Sequence, residues 1–169
     1  MRRALNALYD SAAAVAALCM VALLGMVMLG IAGRAAGFHL PGTDAYAGYL
    51  MAAAGFLALA HTLKRGEHIR VTLLLSALRP GPRRALELWS LAAASGLAGL
   101  LAFYSARLVW QSHAFNDIST GNDATPLWLP QLGMAVGTTV LLVALLDELV
   151  LEWRGLRARP ANGEQQRHE

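Results

Sequence analysis

The ionisable side chains whose types and spacing could support chemistry stand at the ends of apolar stretches. His61 lies just before the charged segment that starts at Lys64, and Asp147, Glu148 and Glu152 follow the last apolar stretch. An ionisable group deep in a bilayer marks a proton or ion pathway, because placing it there is otherwise too costly. Carboxylates at an apolar boundary are instead expected to pair with nearby basic side chains. The sequence therefore predicts no catalytic or ion-binding core.

Other reactive sets are absent from the sequence. A haem held between helices needs two histidines at suitable depth, and His61 is the only histidine within an apolar stretch. Cys19 is the single cysteine, which excludes an intramolecular disulfide and a paired-cysteine redox centre. No Walker A pattern occurs, so the chain is not itself an ATP-driven motor. We expect no cofactor, no metal ion, no enzymatic activity and no nucleic-acid partner.

The elements that position these residues are apolar helices. Four uncharged stretches approach the length of a bilayer span, about 20 residues at 1.5 Å rise per residue. They are residues 12–32, 45–63, 88–106 and 127–146. Backbone polar groups in hydrocarbon must bond within their own segment, which forces a helix. The sequence predicts an all-α integral membrane protein with spanning helices at about 11–33, 45–64, 86–110 and 127–152, forming one membrane domain (1–155) followed by a disordered tail (156–169).

The distribution of positive charge predicts the orientation in the bilayer. All Lys and Arg residues except Arg34 and Arg107 lie before the first helix, between the second and third, or after the fourth. Because Lys and Arg accumulate in cytoplasmic loops, we expect both termini in the cytoplasm. The first apolar stretch is longer than a signal-peptide core, so we expect it to remain as a spanning helix.

The basic loop between the second and third helices predicts a further helix. Within residues 67–79, His68, Thr72 and Ser76 fall on one helical face. Val71 and three leucines fall on the other face. This pattern is typical of an amphipathic helix in the membrane interface. Two roles stay open: packing on the membrane domain alone, and bracing a partner.

Small residues at helical spacing predict close packing of helices. Gly133 and Gly137 form a G-x-x-x-G pair in the fourth helix, and Gly96 and Gly99 belong to similar small-residue pairs in the third. Such pairs let two helix backbones approach closely in a membrane. The facing helix could belong to this chain or to another membrane subunit.

Three segments together resemble one family of membrane proteins. They are residues 60–71 (AHTLKRGEHIRV), 40–44 (LPGTD) ahead of a tyrosine-containing helix, and 125–131 (TPLWLPQ). These segments resemble the DctQ-like small membrane subunit of tripartite ATP-independent periplasmic (TRAP) transporters. The resemblance extends over about residues 5–153, which is essentially the whole membrane domain.

The resemblance implies a specific place in a transport system. Such systems are secondary transporters of a bacterial inner membrane, driven by an ion gradient that is usually sodium. A periplasmic solute-binding protein delivers an organic acid to a large membrane subunit, which holds the substrate and ion sites. The small subunit has four spanning helices plus an interfacial helix. It enlarges the static scaffold in the lipid bilayer, against which the large subunit moves.

The resemblance also implies roles for individual residues. Arg34 matches an arginine that the family often places after the first helix, which implies a part in docking the binding protein. Asp44 stands at the outer turn, but Ala45 follows it where many members have a glutamate. From the residues alone, Arg34 could instead snorkel to the interface or pair with Asp44. The residues of the inner element, for which the resemblance implies a structural role, are Gly66, His68 and Arg70.

The main alternative is a self-contained small exporter that works as an oligomer. A drug exporter of that type needs a membrane-embedded glutamate in its first helix, and residues 11–33 contain no acidic residue. A membrane anchor of a respiratory enzyme is a further alternative, which the single histidine within the apolar stretches disfavours.

Overall fold

The computed structural model describes residues 2–38, 40–65, 80–121 and 123–155. Over these residues the chain forms four long helices, each apolar and long enough to cross a membrane. They are α1 (Arg2–Ala35), α2 (Thr43–Arg65), α3 (Pro80–Ala114) and α4 (Trp128–Trp153). The four-helix, all-α prediction is therefore confirmed for this part of the chain. The expected interfacial helix at 67–79 and the expected disordered tail at 156–169 lie outside the described residues.

Two of the helices extend beyond their predicted apolar stretches. α1 has 34 residues and begins at Arg2 rather than near residue 11, and α3 has 35 residues and begins at Pro80 rather than near residue 86. Hydropathy marks the segment that fits the hydrocarbon, about 30 Å thick, whereas the helical backbone continues into the polar interface. A proline suits the first turn of a helix, because the amide it lacks would have no partner there.

The helices are arranged as a row in the order α1, α2, α4, α3. α2 packs against both α1 and α4, α3 packs against α4, and α1 makes only a small contact with α4. The two helices at the ends of the row therefore expose large apolar side chains, such as Leu18 of α1 and Leu97 of α3. Such faces suit contact with lipid or with another membrane-embedded chain.

α2 and α4 approach each other closely. A Cβ atom added at Gly137 would lie 2.5 Å from the carbonyl carbon of Phe56, and one at Gly133 would lie 2.8 Å from the Cβ of Ala53. Only glycine fits at such separations. By contrast, a Cβ added at Gly96 meets no atom within 4 Å, and one at Gly99 meets only the side chain of Leu142.

The core between the helices combines alanines with larger side chains: Tyr9, Val140 and three leucines. Ala60 of α2 and Ala144 of α4 are fully buried in it. Thr138 is also fully buried, and its hydroxyl donates a hydrogen bond to the carbonyl of Met134 at 2.8 Å. Because the hydroxyl is satisfied within its own helix, it does not oppose burial. The buried alanines of α2 and α4 are in keeping with the close spacing of these two helices.

Gly137→Ala should destabilise the folded chain, because its new methyl group must displace the backbone of α2. Overpacking of this kind costs about 1–3 kcal/mol. Thermal unfolding in detergent, followed by circular dichroism, should show a lower melting temperature. The matched control is Gly96→Ala, which should be neutral or slightly stabilising, since alanine favours a helix more than glycine does. Equal melting temperatures for the two variants would contradict the assigned contact.

Candidate functional site

The charged side chains of the described residues gather near the two ends of the helices, measured along the helix axes. We call the end with the α1–α2 and α3–α4 connections the hairpin end, and the end with Arg2, Arg65 and Arg154 the terminal end. Between the two ends, residues 11–33, 45–63, 88–106 and 124–146 contain no Asp, Glu, Lys or Arg. Any polar site of the described chain therefore lies at an end.

A carboxylate held by hydroxyl groups fastens the α3–α4 connection to α2 at the hairpin end. Tyr49 of α2 donates a hydrogen bond to Oδ2 of Asp123 at 3.0 Å, and Ser119 donates one to Oδ1 at 2.8 Å. One turn earlier in α2, the hydroxyl of Tyr46 lies 3.0 Å from the hydroxyl of Thr125. We call these five residues the hydroxyl cluster. It joins the connection to α2 at two successive turns.

Hydrogen bonding keeps Asp123 ionised. Partial desolvation raises the pKa of its carboxyl group, but hydrogen bonds from Thr125, Ser119 and Tyr49 outweigh this effect and lower the pKa to about 2. Hydrogen bonds that favour the charged form of a carboxylate always lower its pKa. Asp123 is therefore a charged acceptor at neutral pH, and its role in the cluster is to orient three hydroxyl groups.

The backbone around the hydroxyl cluster is also well paired. The amide of Ser119 donates to the carbonyl of Thr125 at 2.8 Å. Gly42, at φ +85°, packs against Asp123, and an added Cβ there would lie 3.1 Å from the Cβ of Asp123. Glycine is needed at this position for both its conformation and its size. Gly42 of the segment 40–44 thus packs against the residue that lies two positions before the segment 125–131.

The docking candidates Arg34 and Asp44 both lie exposed at the hairpin end. Arg34 stands in the last turn of α1 and Asp44 in the first turn of α2. The ion pairs of the described residues do not include one between these two side chains. Three exposed apolar side chains share this end: Phe38, Phe115 and Ile118. We call these five residues the hairpin surface.

Lysine 64 joins three helices at the terminal end. Its ammonium group pairs with Asp147 and with Glu148, the latter at 3.1 Å, and lies 5.4 Å from the ring centre of Tyr9. The pairing expected for these two carboxylates is therefore present. Close by, Nδ1 of His61 lies 3.4 Å from Oδ1 of Asp10. These contacts connect α1, α2 and α4 where the apolar segments end.

The structure separates the residues that the sequence analysis singled out. Gly133 and Gly137 pack against the backbone of α2 within the chain. A Cβ added at Gly96 would have no contact within 4 Å, and one at Gly99 would contact only Leu142. The inner-element residues Gly66, His68 and Arg70 lie outside the described residues. No group of three or more His, Cys, Asp or Glu side chains in the described ranges could hold a metal ion.

Sequence reasoning missed the hydroxyl cluster. Two signals for it were present: Tyr46 and Tyr49 stand three residues apart in one helix, so both point to one side. Asp123 lies in a loop that contains no Lys or Arg to pair with it. Neither signal alone identifies the partner segment.

Asp123→Asn should loosen the connection at residues 115–127, because an amide is a weaker acceptor for three hydroxyl groups. The folded pKa of about 2 lies below the ordinary value of 3.8. The stabilisation is therefore complete above about pH 4 and is lost as the pH falls through 2. Hydrogen exchange, corrected for intrinsic rates, should show lower protection of peptide 115–127 in the variant at pH 7. The wild type should lose its protection only on acidification.

The control for this measurement is Asp117→Asn in the same connection, whose side chain is exposed. Its exchange should match that of the wild type. Equal protection of the wild type and the Asp123→Asn variant at neutral pH would contradict the assigned cluster.

Comparison with known proteins identifies the family. The chain matches the model for the DctQ component of tripartite ATP-independent periplasmic transporters over residues 23–155. This match extends from the middle of α1 to the end of α4. It includes the part of α2 and the α3–α4 connection that form the hydroxyl cluster. No curated protein matches the chain significantly. A match over most of the chain, on a structure with four membrane-spanning helices, shows that the chain belongs to the DctQ family, the small membrane component of TRAP transporters.

Proposed function

We propose that this chain is the static scaffold subunit of a TRAP transporter in a bacterial inner membrane, with both termini in the cytoplasm. In this proposal a large membrane subunit carries the substrate and moves against the scaffold. A periplasmic solute-binding protein delivers an organic acid, and a sodium gradient drives uptake. The hairpin end then faces the periplasm and the terminal end faces the cytoplasm.

The observation that carries the proposal is the uncharged interior of a chain that belongs to a transporter family. A subunit that moves ions or an organic acid across the bilayer needs polar or ionisable groups near mid-membrane. All four spanning segments lack Asp, Glu, Lys and Arg, and the ion pairs of the described residues lie at the terminal end. This distribution of charge favours a scaffold role for the chain, beside another subunit that holds the transport site.

The hairpin surface supports a docking role at the periplasmic side. It combines Arg34 and Asp44 with the exposed apolar side chains of Phe38, Phe115 and Ile118. Apolar contacts flanked by charged groups are typical of transient protein interfaces, where the charges guide the encounter. The hydroxyl cluster lies beside this surface and holds the α3–α4 connection, which bears two of its apolar side chains.

Uptake measurements in cells that lack only this chain should test the proposal. The wild-type chain should restore uptake of the radiolabelled organic acid that the parent strain imports. Arg34→Glu should reduce uptake by about tenfold, equivalent to ~1.4 kcal/mol of lost binding free energy, since reversed charge repels the docking partner. Recovery of the membrane complex should be unchanged.

The matched control is Arg107→Glu, which reverses an exposed arginine that lies in α3 and is not one of the five residues of the hairpin surface. Its uptake should remain near that of the wild type. Unchanged uptake with Arg34→Glu would remove Arg34 from the docking surface. Full uptake in cells without the chain would contradict the scaffold proposal and favour a self-contained exporter.

A further inference from the structure

A groove between α1 and α2 has no role in the proposed function. Its volume is about 430 Å³ and it opens between the two helices, with small side chains along its length. Six of its lining residues are Ala16, Ala17, Met20, Met51, Gly55 and Ala58. Gly55 faces open space, in contrast to the glycines of α4 that pack against the other side of α2.

The length of the groove is close to the thickness of one leaflet of a bilayer. Met51 lies near the middle of α2, and the groove continues from there to Thr62, near the terminal end. That distance is about 16 Å at 1.5 Å rise per residue. Half of a hydrocarbon core about 30 Å thick is about 15 Å. Met20 lies similarly near the middle of the uncharged segment of α1. The groove thus matches the length of one extended acyl chain.

A spanning helix from another protein fits the groove less well. Such a helix crosses both leaflets and is about 10–12 Å wide with its side chains. The hairpin half of the α1–α2 pair offers it no comparable space, because a Cβ added at Gly30 would lie 3.3 Å from the hydroxyl oxygen of Thr43. The groove is therefore shorter than a spanning helix, which favours a single flexible chain.

The terminal mouth of the groove carries positive charge. Arg65 lies one turn beyond His61 on the same face of α2 and is exposed. Arg2 and Arg3 are exposed at the start of α1, and Asp10 lies 3.4 Å from His61. The arginines therefore outnumber the single carboxylate. Basic residues near the membrane surface attract anionic lipid headgroups.

We propose that the groove binds one acyl chain of an anionic phospholipid, with the headgroup phosphate beside Arg65. The lipid fills the space that the alanines and Gly55 leave between α1 and α2, and it stabilises the spacing of these helices. The inference concerns the chain by itself and stands whether or not the scaffold proposal is correct.

Photolabelling of the full-length chain in vesicles tests the inference. The vesicles contain phosphatidylcholine and a trace of phosphatidylglycerol whose acyl chain carries a photoreactive group. After illumination and digestion, mass spectrometry should place lipid adducts on peptides that contain residues 13–20 and 51–62. Adducts spread evenly over all exposed apolar faces, including that of α3, would overturn the inference.

Two variants fill the groove without touching the opposite side of α2. Gly55→Leu and Ala58→Leu should each reduce labelling of the groove peptides by about tenfold, equivalent to ~1.4 kcal/mol of binding free energy. The matched control is Ala92→Leu, which places the same side chain on the exposed face of α3. Unchanged circular dichroism of all variants verifies the fold. Equal labelling of the groove-filling variants and the control would overturn the inference.

A charge variant tests the headgroup contact separately. Arg65→Gln should reduce labelling by about fivefold, as expected for one basic residue near the membrane surface. Arg107→Gln, toward the hairpin end, should leave labelling unchanged. If the two arginine variants label equally, the assignment of an anionic headgroup is wrong. Groove peptides free of lipid adducts in the wild type would also overturn the inference.

Discussion

The close contact of α2 with α4 is the constraint on which the rest of the structure depends. Gly133 and Gly137 remove the side chains that would separate the two helices. The helices run in the same direction, so one contact sets the register along their whole length. At the hairpin end it brings Tyr46 to Thr125, and at the terminal end it brings Lys64 to Asp147, pairs separated by 79 and 83 residues along the chain.

Both ends of the α2–α4 pair are closed by polar contacts that the bilayer could not accommodate in its middle. Hydroxyl groups and Asp123 bond at one end, and Lys64 pairs with two carboxylates at the other. Between the two ends, the described core is mostly apolar; it also buries Ser95 and Ser105 of α3 and Thr138, whose hydroxyl bonds within its own helix. For a member of the DctQ family, this interior supports the proposed role as a scaffold.

Sequence reasoning predicted the features that follow from local chemistry. Uncharged stretches of bilayer length predicted the four helices, and three motif segments predicted the family that the residues 23–155 match. It did not predict the order of the helices in the row, because Gly96 and Gly137 look alike in sequence and only the fold shows which one meets a backbone. The hydroxyl cluster was missed for a related reason: its hydrogen bonds between α2 and the α3–α4 connection join residues that are 70 to 79 positions apart in the sequence. The extended start of α1 was missed because hydropathy reports the apolar segment rather than the helix.

The most direct test of the scaffold account is the composition of the complex that contains this chain. The tagged chain should be expressed with its neighbouring genes and purified in mild detergent, and its partners should be quantified by mass spectrometry. The account predicts a large, multi-helix membrane protein in equimolar amount. Recovery of this chain alone, as an oligomer of identical copies that transports by itself, would contradict it.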